Sequence, residues 1–231
     1  MPANPIDVPP PLGVVEISAL GAAMVVLDAM DKSAQIHVLQ AELNDWYGYV
    51  IKITGDSAAL RIALQTAQRL AEQMHAPCRR TVIDAPDRHA WPAIMSRPEY
   101  QPLIEQDVVF IPVEREGLST MNSKPDAIGL IETQGFTAVI EAIDAACKAA
   151  NVEVIGKEKL GGGYITVVIR GDVAAVKAAV EAGRARADGL GKLIAAHVIA
   201  RPNESVLKLL PPHDVNEVSV PTPCSRGARW M

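Results

Sequence analysis

The chain contains one sequence unit twice, and the two copies are separated by a constant offset of 116 residues (129 − 13 = 116). Gly13-Val14-Val15-Glu16 returns as Gly129-Leu130-Ile131-Glu132, and Gly55-Asp56 returns as Gly171-Asp172. Near the end of the unit, Val82-Ile83 and Pro86 return as Val198-Ile199 and Pro202. Because the offset is constant, the loops have equal length in both copies. The sequence therefore predicts two domains that share one fold.

Composition limits the class of protein. The 231 residues are 49% hydrophobic and 21% charged, which is typical of globular chains that bury a core. A net charge of −5 provides no basic surface for nucleic acid. No apolar run reaches the ~18–20 residues that a membrane span needs. Residues 1–11 lack the apolar centre of a signal peptide, and three distant cysteines do not indicate a disulfide framework. We therefore expect a cytoplasmic location, with neither nucleic acid nor membrane as a partner.

The hydrophobic periodicity predicts the order β-α-β-β-α-β and a short closing helix in each copy. In the first copy the predicted elements are strand 14–17, helix 21–34, strands 36–39 and 49–53, helix 58–74, strand 81–83 and helix 87–95. In the second copy they are strand 128–132, helix 136–150, strands 152–157 and 164–169, helix 173–187, strand 194–199 and helix 203–210. This order predicts an α+β chain of two tandem ferredoxin-like domains, each with an antiparallel sheet and helices on one face.

The expected boundaries follow from composition. They are an arm at 1–11, a first domain at 12–95, a linker at 96–126, a second domain at 127–210 and a tail at 211–231. The tail is rich in proline and polar residues, so we expect it to be flexible. Val108–Ile111 is the one β-like run in the linker. It is compatible with pairing at a sheet edge and equally with a loop.

Groups that could carry catalysis are few. His75 and Cys78 are three residues apart, but no second pair completes a tetrahedral metal site. Asp84, Asp87 and His89 could form an acid–base cluster, although Pro86 between them makes a turn the simpler interpretation. We therefore predict no catalytic and no metal-binding residues, and an enzyme that uses this turn is kept only as a competing hypothesis.

The loop between the second and third strands of the second copy reads Lys159-Leu160-Gly161-Gly162-Gly163. Glycine permits positive φ and lets backbone N–H groups approach a ligand closely, although a plain hairpin turn would use the same residues. The first copy has the bulky, polar sequence Leu43-Asn44-Asp45-Trp46-Tyr47 at this position. The two loops have equal length and different chemistry, which indicates unequal roles in a shared space.

These segments together resemble the bacterial microcompartment (BMC) shell-protein domain, and the whole chain resembles the tandem-domain shell proteins. The resemblance covers residues 128–210 closely and 13–94 more loosely. It rests on the opening Gly129-Leu130-Ile131-Glu132, on Asp144-Ala145 with Lys148, on the glycine loop, on Gly171-Asp172 and on Arg201-Pro202. In this family, six single-domain subunits form a flat hexagonal tile, and tandem chains form the same outline as a trimer.

The resemblance implies a pore at the centre of the tile, lined by the loops described above. The implied pore-lining residues are Glu42, Asn44, Asp45, Trp46, Tyr47, Lys159, Leu160, Gly161, Gly162 and Gly163. Gly162 stands where the family usually has serine. Trp46 and Tyr47 are placed to narrow or gate the opening, and packing of these rings against the sheet is an equal alternative. Neither loop contains cysteine, so no cluster or other cofactor is expected there.

The resemblance also implies contacts between neighbouring tiles. The family's edge lysine corresponds to Lys148 and, in the first copy, to Lys32. The edge Arg-Pro pair corresponds to Arg201 and Pro202. The first copy keeps Pro86 but has Ala85 in place of the arginine, so alternate tile edges are expected to differ.

The function implied is structural, not enzymatic: a shell tile through which small metabolites pass. The expected partners are two further copies of the chain, other BMC shell proteins and, as a further expectation, a second trimer stacked face to face. The alternative is a small-molecule binding or sensor protein, since ferredoxin-like oligomers often bind ligands between subunits.

Overall fold

The computed structural model describes residues 9–44, 48–102, 106–112, 127–187 and 190–210. The first domain consists of β1 (Leu12–Ile17), α1 (Leu20–Ser33), β2 (His37–Asn44), β3 (Gly48–Thr54), α2 (Ser57–Gln73), β4 (Cys78–Ile83) and the short helix α3 (Trp91–Ile94). The linker adds β5 (Tyr100–Gln101), β6 (Gln106–Asp107) and β7 (Val109–Phe110). The second domain consists of β8 (Ala127–Gln134), α4 (Phe136–Ala149), β9 (Glu153–Gly161), β10 (Tyr164–Gly171), α5 (Val173–Ala187), β11 (Lys192–Ile199) and α6 (Glu204–Leu209).

The two sheets have the same topology. The strand order is β4-β1-β3-β2 in the first domain and β11-β8-β10-β9 in the second, with antiparallel pairing throughout. Glycine at the same point of β1 and β8, and a hairpin between the second and third strands, recur at the offset of 116 residues. The predicted α+β class with two ferredoxin-like units is confirmed.

The second strand of each domain, β2 and β9, is longer than the sequence predicted. The strand predicted at 36–39 continues to Asn44, because the hairpin ladder with β3 runs up to the pair Asn44↔Gly48. The strand predicted at 152–157 likewise continues to Gly161. The polar residues Glu42 and Glu158 lie in these extensions, where sequence periodicity does not indicate a strand.

The closing helix of the first domain is shorter than predicted. Residues 87–95 were predicted to be helical, but the helix spans only Trp91–Ile94. Asp87 instead accepts a hydrogen bond from the backbone N–H of His89 at 2.7 Å. This local bond holds a turn and delays the start of the helix.

The β-like run of the linker pairs at a sheet edge, as one of the two sequence alternatives proposed. Phe110 and Val109 lie opposite Ala41 and Glu42, so β7 extends the first sheet beyond β2. The small hairpin of β5 and β6 precedes it and was not predicted.

The helices pack on one face of each sheet and form two aliphatic cores. Asp56 begins α2 as its N-cap, accepting from the Ala59 N–H at 2.8 Å, and Asp172 accepts from Ala175 in the second domain at 3.0 Å. None of the described helices is long and apolar enough to cross a membrane.

Gly129 marks the closest approach of sheet and helix in the second domain. A Cβ at this position would lie 2.6 Å from Val180, 2.7 Å from Ile169 and 2.9 Å from Val176. The repeated glycine of β1 has the same role, since a Cβ on Gly13 would lie 2.8 Å from Ile53. The packing density of the core explains why both copies have glycine here.

We predict that Gly129→Ala destabilises the protein by about 1–3 kcal/mol, because the added methyl group overpacks the core. Chemical denaturation at fixed protein concentration measures this change. Lys177→Ala, an exposed substitution on α5, is the control and should stay within about 0.5 kcal/mol. Equal stability of Gly129→Ala and wild type would show that the core is looser than described.

Candidate functional site

The glycine loop is a tight hairpin with three successive left-handed residues. Gly161, Gly162 and Gly163 have φ values of +85°, +55° and +81°, a backbone that only glycine adopts without strain three times in succession. The hairpin is attached to the end of β8, since Gly135 N–H donates to the Gly163 carbonyl at 2.9 Å and Gln134 Nε2 donates to the Gly162 carbonyl at 3.1 Å. Gly162 and Gly163 are exposed at the tip.

Two residues before this turn are partly or fully buried within the chain. The side chain of Leu160 packs against the first domain, and its assignment as pore-lining stays a prediction. Lys159 is half-buried, and its backbone is paired with the side chain of Gln106 from the linker. Side chains alternate between the two faces of β9, so Leu160 lies on the same buried face as Glu158.

The equivalent loop of the first domain is described only in part, since Asp45, Trp46 and Tyr47 lie outside the described residues. Asn44 precedes them and donates its side-chain N–H to Glu16 at 2.5 Å. The Glu42 carboxylate forms an ion pair with Lys52 and accepts a hydrogen bond from the Ser96 hydroxyl at 2.6 Å. The negative charge of Glu42 is therefore balanced within the domain.

The two predicted edge lysines have different surroundings. Lys148 pairs with Asp144 at 2.7 Å, and its side chain is 75% exposed. Lys32 pairs with Asp28 at 2.6 Å and also donates to the backbone carbonyl of Arg201 in the second domain. The equivalent prolines Pro86 and Pro202 are both buried, and Arg201 is exposed.

The polar turn that resembled an acid–base cluster is an exposed surface turn. Hydrogen bonds from the backbone and ring of His89 lower the pKa of Asp87, and a hydrogen bond from Arg61 lowers the pKa of Asp84. His75 and Cys78 lie at the end of α2 and the start of β4, and His75 has a positive φ of 55°. Among the described residues, no three His, Cys, Asp or Glu side chains are grouped to hold a metal ion.

A buried polar contact between the domains involves Glu132, for which the sequence predicted no role. Its buried carboxylate on β8 accepts from the Gly21 N–H at 3.0 Å and from the Leu20 N–H at 3.3 Å. Helix α1 has no side-chain cap of its own, because Ala19 is its N-cap residue. A carboxylate from the other domain thus satisfies the first N–H groups of α1 and complements the helix dipole.

Burial raises the pKa of Glu132 to about 7, while the backbone hydrogen bonds from Gly21 and Leu20 act in the opposite direction. The sequence contained a signal for this residue, since glutamate ends both repeated segments, Gly13–Glu16 and Gly129–Glu132. The repeat alone did not indicate that the Glu132 side chain contacts the N-terminus of α1 in the other domain.

Equivalent residues in the two copies have opposite exposure along one helix face. Leu20 and Met24 on α1 are 4% and 2% exposed, because they pack against Leu130 and Val168 of the second sheet. Their equivalents on α4, Phe136 and Ile140, are 51% and 53% exposed. The α4 N-terminus also lacks a side-chain cap. The helix surface that makes the inter-domain contact on α1 is therefore present again on α4, where no sheet of this chain covers it.

The sheet surface that such a helix covers is also present a second time, on the first domain. Ile199 at the end of β11 is 5% exposed, whereas the equivalent Ile83 at the end of β4 is 39% exposed. Glu16, equivalent to Glu132, contacts Asn44 and no described helix N-terminus. Each chain thus exposes one helix surface, on α4, and one sheet surface, on the first domain, whose equivalents pack against each other between the domains.

A cleft of about 320 Å³ lies at the junction of the two domains. Its polar side chains include His75 from the first domain and Lys192, His197 and Tyr164 from the second. Burial lowers the pKa of His197. The cleft opens beside the glycine hairpin, since Leu160 and Tyr164 contribute to its wall.

Comparison with known proteins identifies the repeated unit. The BMC domain family matches residues 11–86 and again residues 127–202. Together these segments are more than half of the chain, and the protein belongs to the BMC domain family. The match falls on the same two units that the repeat and the two sheets define.

Individual relatives are single units of this kind. The chain is 55% identical over 86 residues to the bacterial microcompartment shell protein PduA of Citrobacter freundii, which covers 37% of this chain and 92% of that protein. It is 49% identical over 86 residues to the shell protein EutM of Salmonella typhimurium, with 37% and 90% covered. It is 50% identical over 90 residues to the carboxysome shell protein CcmK2 of Thermosynechococcus vestitus, with 38% and 87% covered.

A solved structure matches most of the chain. A microcompartment protein from Desulfitobacterium hafniense DCB is 25% identical, with 85% of this chain and 97% of that chain covered and a TM-score of 0.35.

We predict that Glu132→Ala destabilises the inter-domain contact by about 1–3 kcal/mol, because two buried N–H groups of α1 lose their acceptor. Denaturant unfolding measures the loss. Asp144→Ala, which removes an exposed carboxylate, is the control and should have an effect below about 0.5 kcal/mol.

The same residue makes stability depend on pH. The Glu132 pKa is about 7 in the folded protein against an ordinary value of 4.5, so the folded state binds the proton more tightly. Its contribution is complete below about pH 4.5 and is lost as pH rises through about 7. Glu132→Gln should reduce this decline, and an unchanged decline would contradict the assignment.

Proposed function

We propose that this protein is a structural component of a bacterial microcompartment shell, and that three copies close into a ring of six BMC domains. The observation that supports the ring is that the α4 face and the first sheet are exposed, although their equivalents pack against each other within the chain. The BMC shell proteins to which it is similar support the structural role. Its location would then be the shell of a microcompartment in the cytoplasm.

The geometry of the contact supports ring formation. Within a chain, α1 of the first domain packs on the sheet of the second domain. Between chains, α4 of one copy would pack on the first sheet of the next copy, where Glu16 would cap its N-terminus as Glu132 caps α1. Such a contact joins two different surfaces, and contacts of this kind close into rings when the rotation permits.

In a closed ring of three chains, two kinds of loop would alternate around the centre. Lys159 and the glycine hairpin would contribute a cation and backbone N–H groups. The loop of Asn44, Asp45, Trp46 and Tyr47 would contribute aromatic bulk and a carboxylate. Because Lys52 balances Glu42, Asp45 would be the main negative group of that loop. Alternating loops of opposite charge would select metabolites by charge as well as by size.

The proposed partners are other copies of this chain, other shell proteins at the tile edges and small metabolites at the pore. A second trimer stacked face to face remains a prediction from the family resemblance. The exposed Lys148, with its Asp144 partner, is the group proposed to contact a neighbouring tile.

We predict that Phe136→Asp and Ile140→Asp each prevent trimer formation, because a carboxylate cannot be buried against the apolar face of the first sheet. Native mass spectrometry measures the assembly, with a trimer expected for wild type. Electron micrographs of wild-type particles should show a hexagonal outline with a central opening.

Ile62→Asp is the matched control, since Ile62 is an equally exposed apolar residue on α2 whose equivalent, Ala178, lies outside the inter-domain contact. This variant should remain trimeric. A wild-type monomer or dimer, or a trimer that survives both α4 substitutions, would rule out the proposed ring.

We predict that Lys148→Asp leaves trimers intact but abolishes their assembly into sheets, because the proposed edge contact would lose its cation and gain a repulsive charge. Negative-stain microscopy of concentrated protein measures sheet formation. Lys177→Asp makes the same charge change on exposed α5 and should still form sheets. Sheets of Lys148→Asp would show that the edge assignment is wrong.

The junction cleft favours one competing function. A binding or sensor protein would use a cleft of this volume with two imidazoles, an ammonium group and a phenol. That hypothesis requires no tile, so a stable monomer that binds a small metabolite would support it over the shell proposal.

A further inference from the structure

Three side chains form a polar row across the second sheet, on the face that the first domain and the linker cover. Glu158 on β9 lies opposite Thr166 on β10, and Thr166 lies opposite Glu132 on β8. All three are buried. Among the described residues, the buried side-chain oxygens without a hydrogen-bond partner are Glu158 Oε2 and Thr166 Oγ1. Such groups are rare in folded proteins and call for an explanation.

Comparison of the two copies shows what Glu158 lacks. Its equivalent in the first domain is Glu42, which pairs with Lys52. At the position equivalent to Lys52, the second domain has Val168, which is buried in the apolar core. The second domain therefore has the buried carboxyl group without the cation that its equivalent has in the first domain.

Among the described residues, the surroundings of Glu158 offer no replacement for that cation. Helices α1 and α6 contribute Leu20, Met24, Leu209 and Leu210 to the narrow space beside it. The titratable groups that face it are the phenol of Tyr49 on β3 and the carboxylate of Asp107 on β6. Burial and, next, the nearby charge of Asp107 raise the pKa of Glu158 to about 7. A hydrogen bond from the Gln106 side chain has a smaller effect in the opposite direction.

The linker segment that covers Glu158 also holds the glycine hairpin. We call residues 106–110 the strap. At one end, β7 pairs with β2 of the first domain, and Leu43 N–H donates to the Val108 carbonyl at 2.8 Å. At the other end, Gln106 imitates a strand: its Nε2 donates to the Lys159 carbonyl at 2.7 Å, and its Oε1 accepts from the Lys159 N–H at 2.9 Å. The strap thus joins the edge strands that lead into both loops.

We propose that Glu158 is a proton-controlled latch for the strap: when protonated it lets the strap pack on β9, and when ionised it releases the strap and the glycine hairpin. Ionised Glu158 would face Asp107 in an apolar space to which the described residues contribute no cation, and the strap is the element that can move away and admit water. The neutral carboxyl group carries no such penalty.

Glu132 at the other end of the row behaves differently, although it too is buried. When it ionises, two N–H groups at the positive end of α1 stabilise the carboxylate. None of the described helices has its N-terminus facing Glu158. The latch therefore resides at one carboxyl group of the row and concerns the strap, while the contact with α1 persists.

Hydrogen exchange measured by mass spectrometry on the intact protein tests this inference. In the wild type, peptides that cover residues 99–112 and 153–165 should lose protection between about pH 6 and about pH 8, after correction for intrinsic exchange. The limit of the effect is about tenfold, set by a pKa of about 7 with the strap closed and 4.5 with it open. Peptides from α4 and α5 that exchange by local fluctuation, and not by global unfolding, should not change.

Glu158→Gln keeps the shape of the side chain and cannot ionise, so its strap peptides should have the same protection at both pH values. Asp107→Asn should reduce the loss of protection between about pH 6 and about pH 8, because without this repulsive charge the pKa of Glu158 in the closed state is lower. Glu132→Gln is the control and should retain the wild-type dependence in the strap.

Val168→Lys is a second, independent variant that reproduces the Lys52 arrangement of the first domain. If it folds, its strap should stay protected at the higher pH. A wild type without pH dependence, a Glu158→Gln variant that keeps it, or an equal loss of protection in all peptides of the second domain would each overturn the inference. The measurement does not depend on ring closure, so the shell proposal stands or falls separately.

Discussion

The structure depends on one contact, in which the buried carboxylate of Glu132 caps helix α1 of the other domain. This contact attaches the first domain to the open face of the second sheet. Leu20 and Met24 then cover Leu130 and Val168, so an apolar face that would otherwise meet water becomes part of a continuous core. A ferredoxin-like unit has helices on one sheet face only, and the second face must be covered by some other element. Here the neighbouring copy of the same unit covers it.

Duplication makes the arrangement of unfilled contacts unavoidable. A head-to-tail contact between two copies uses one surface of each and leaves the complementary surfaces exposed at the ends. Phe136 and Ile140 are exposed at one end for this reason, and Ile83 at the other. The same duplication allows the two copies to diverge in chemistry while the backbone stays constant. The glycine hairpin and the aromatic loop are one result, and the Glu42–Lys52 pair opposite Glu158 and Val168 is another.

Much of the fold could be predicted because the repeat at an offset of 116 residues constrains every loop length. The order of strands and helices and the positive φ values of the glycines agree with the structure. The lengths of β2 and β9 were underestimated, because charged residues such as Glu42 and Glu158 interrupt the apolar alternation on which strand prediction rests. The burial of Leu160 was missed because it depends on a surface contributed by the other domain.

The sequence by itself determined the number of domains, their topology and the chemical contrast between the two loops, since these follow from local periodicity and from the repeat. Only the tertiary structure decided which polar groups meet. Glu42 finds Lys52, Glu132 finds the N-terminus of α1, and Glu158 finds no cation among the described residues, although all three are glutamates on β-strands. The physical reason is that the energy of a buried charge depends on partners brought together by long-range packing, and local sequence does not specify those partners.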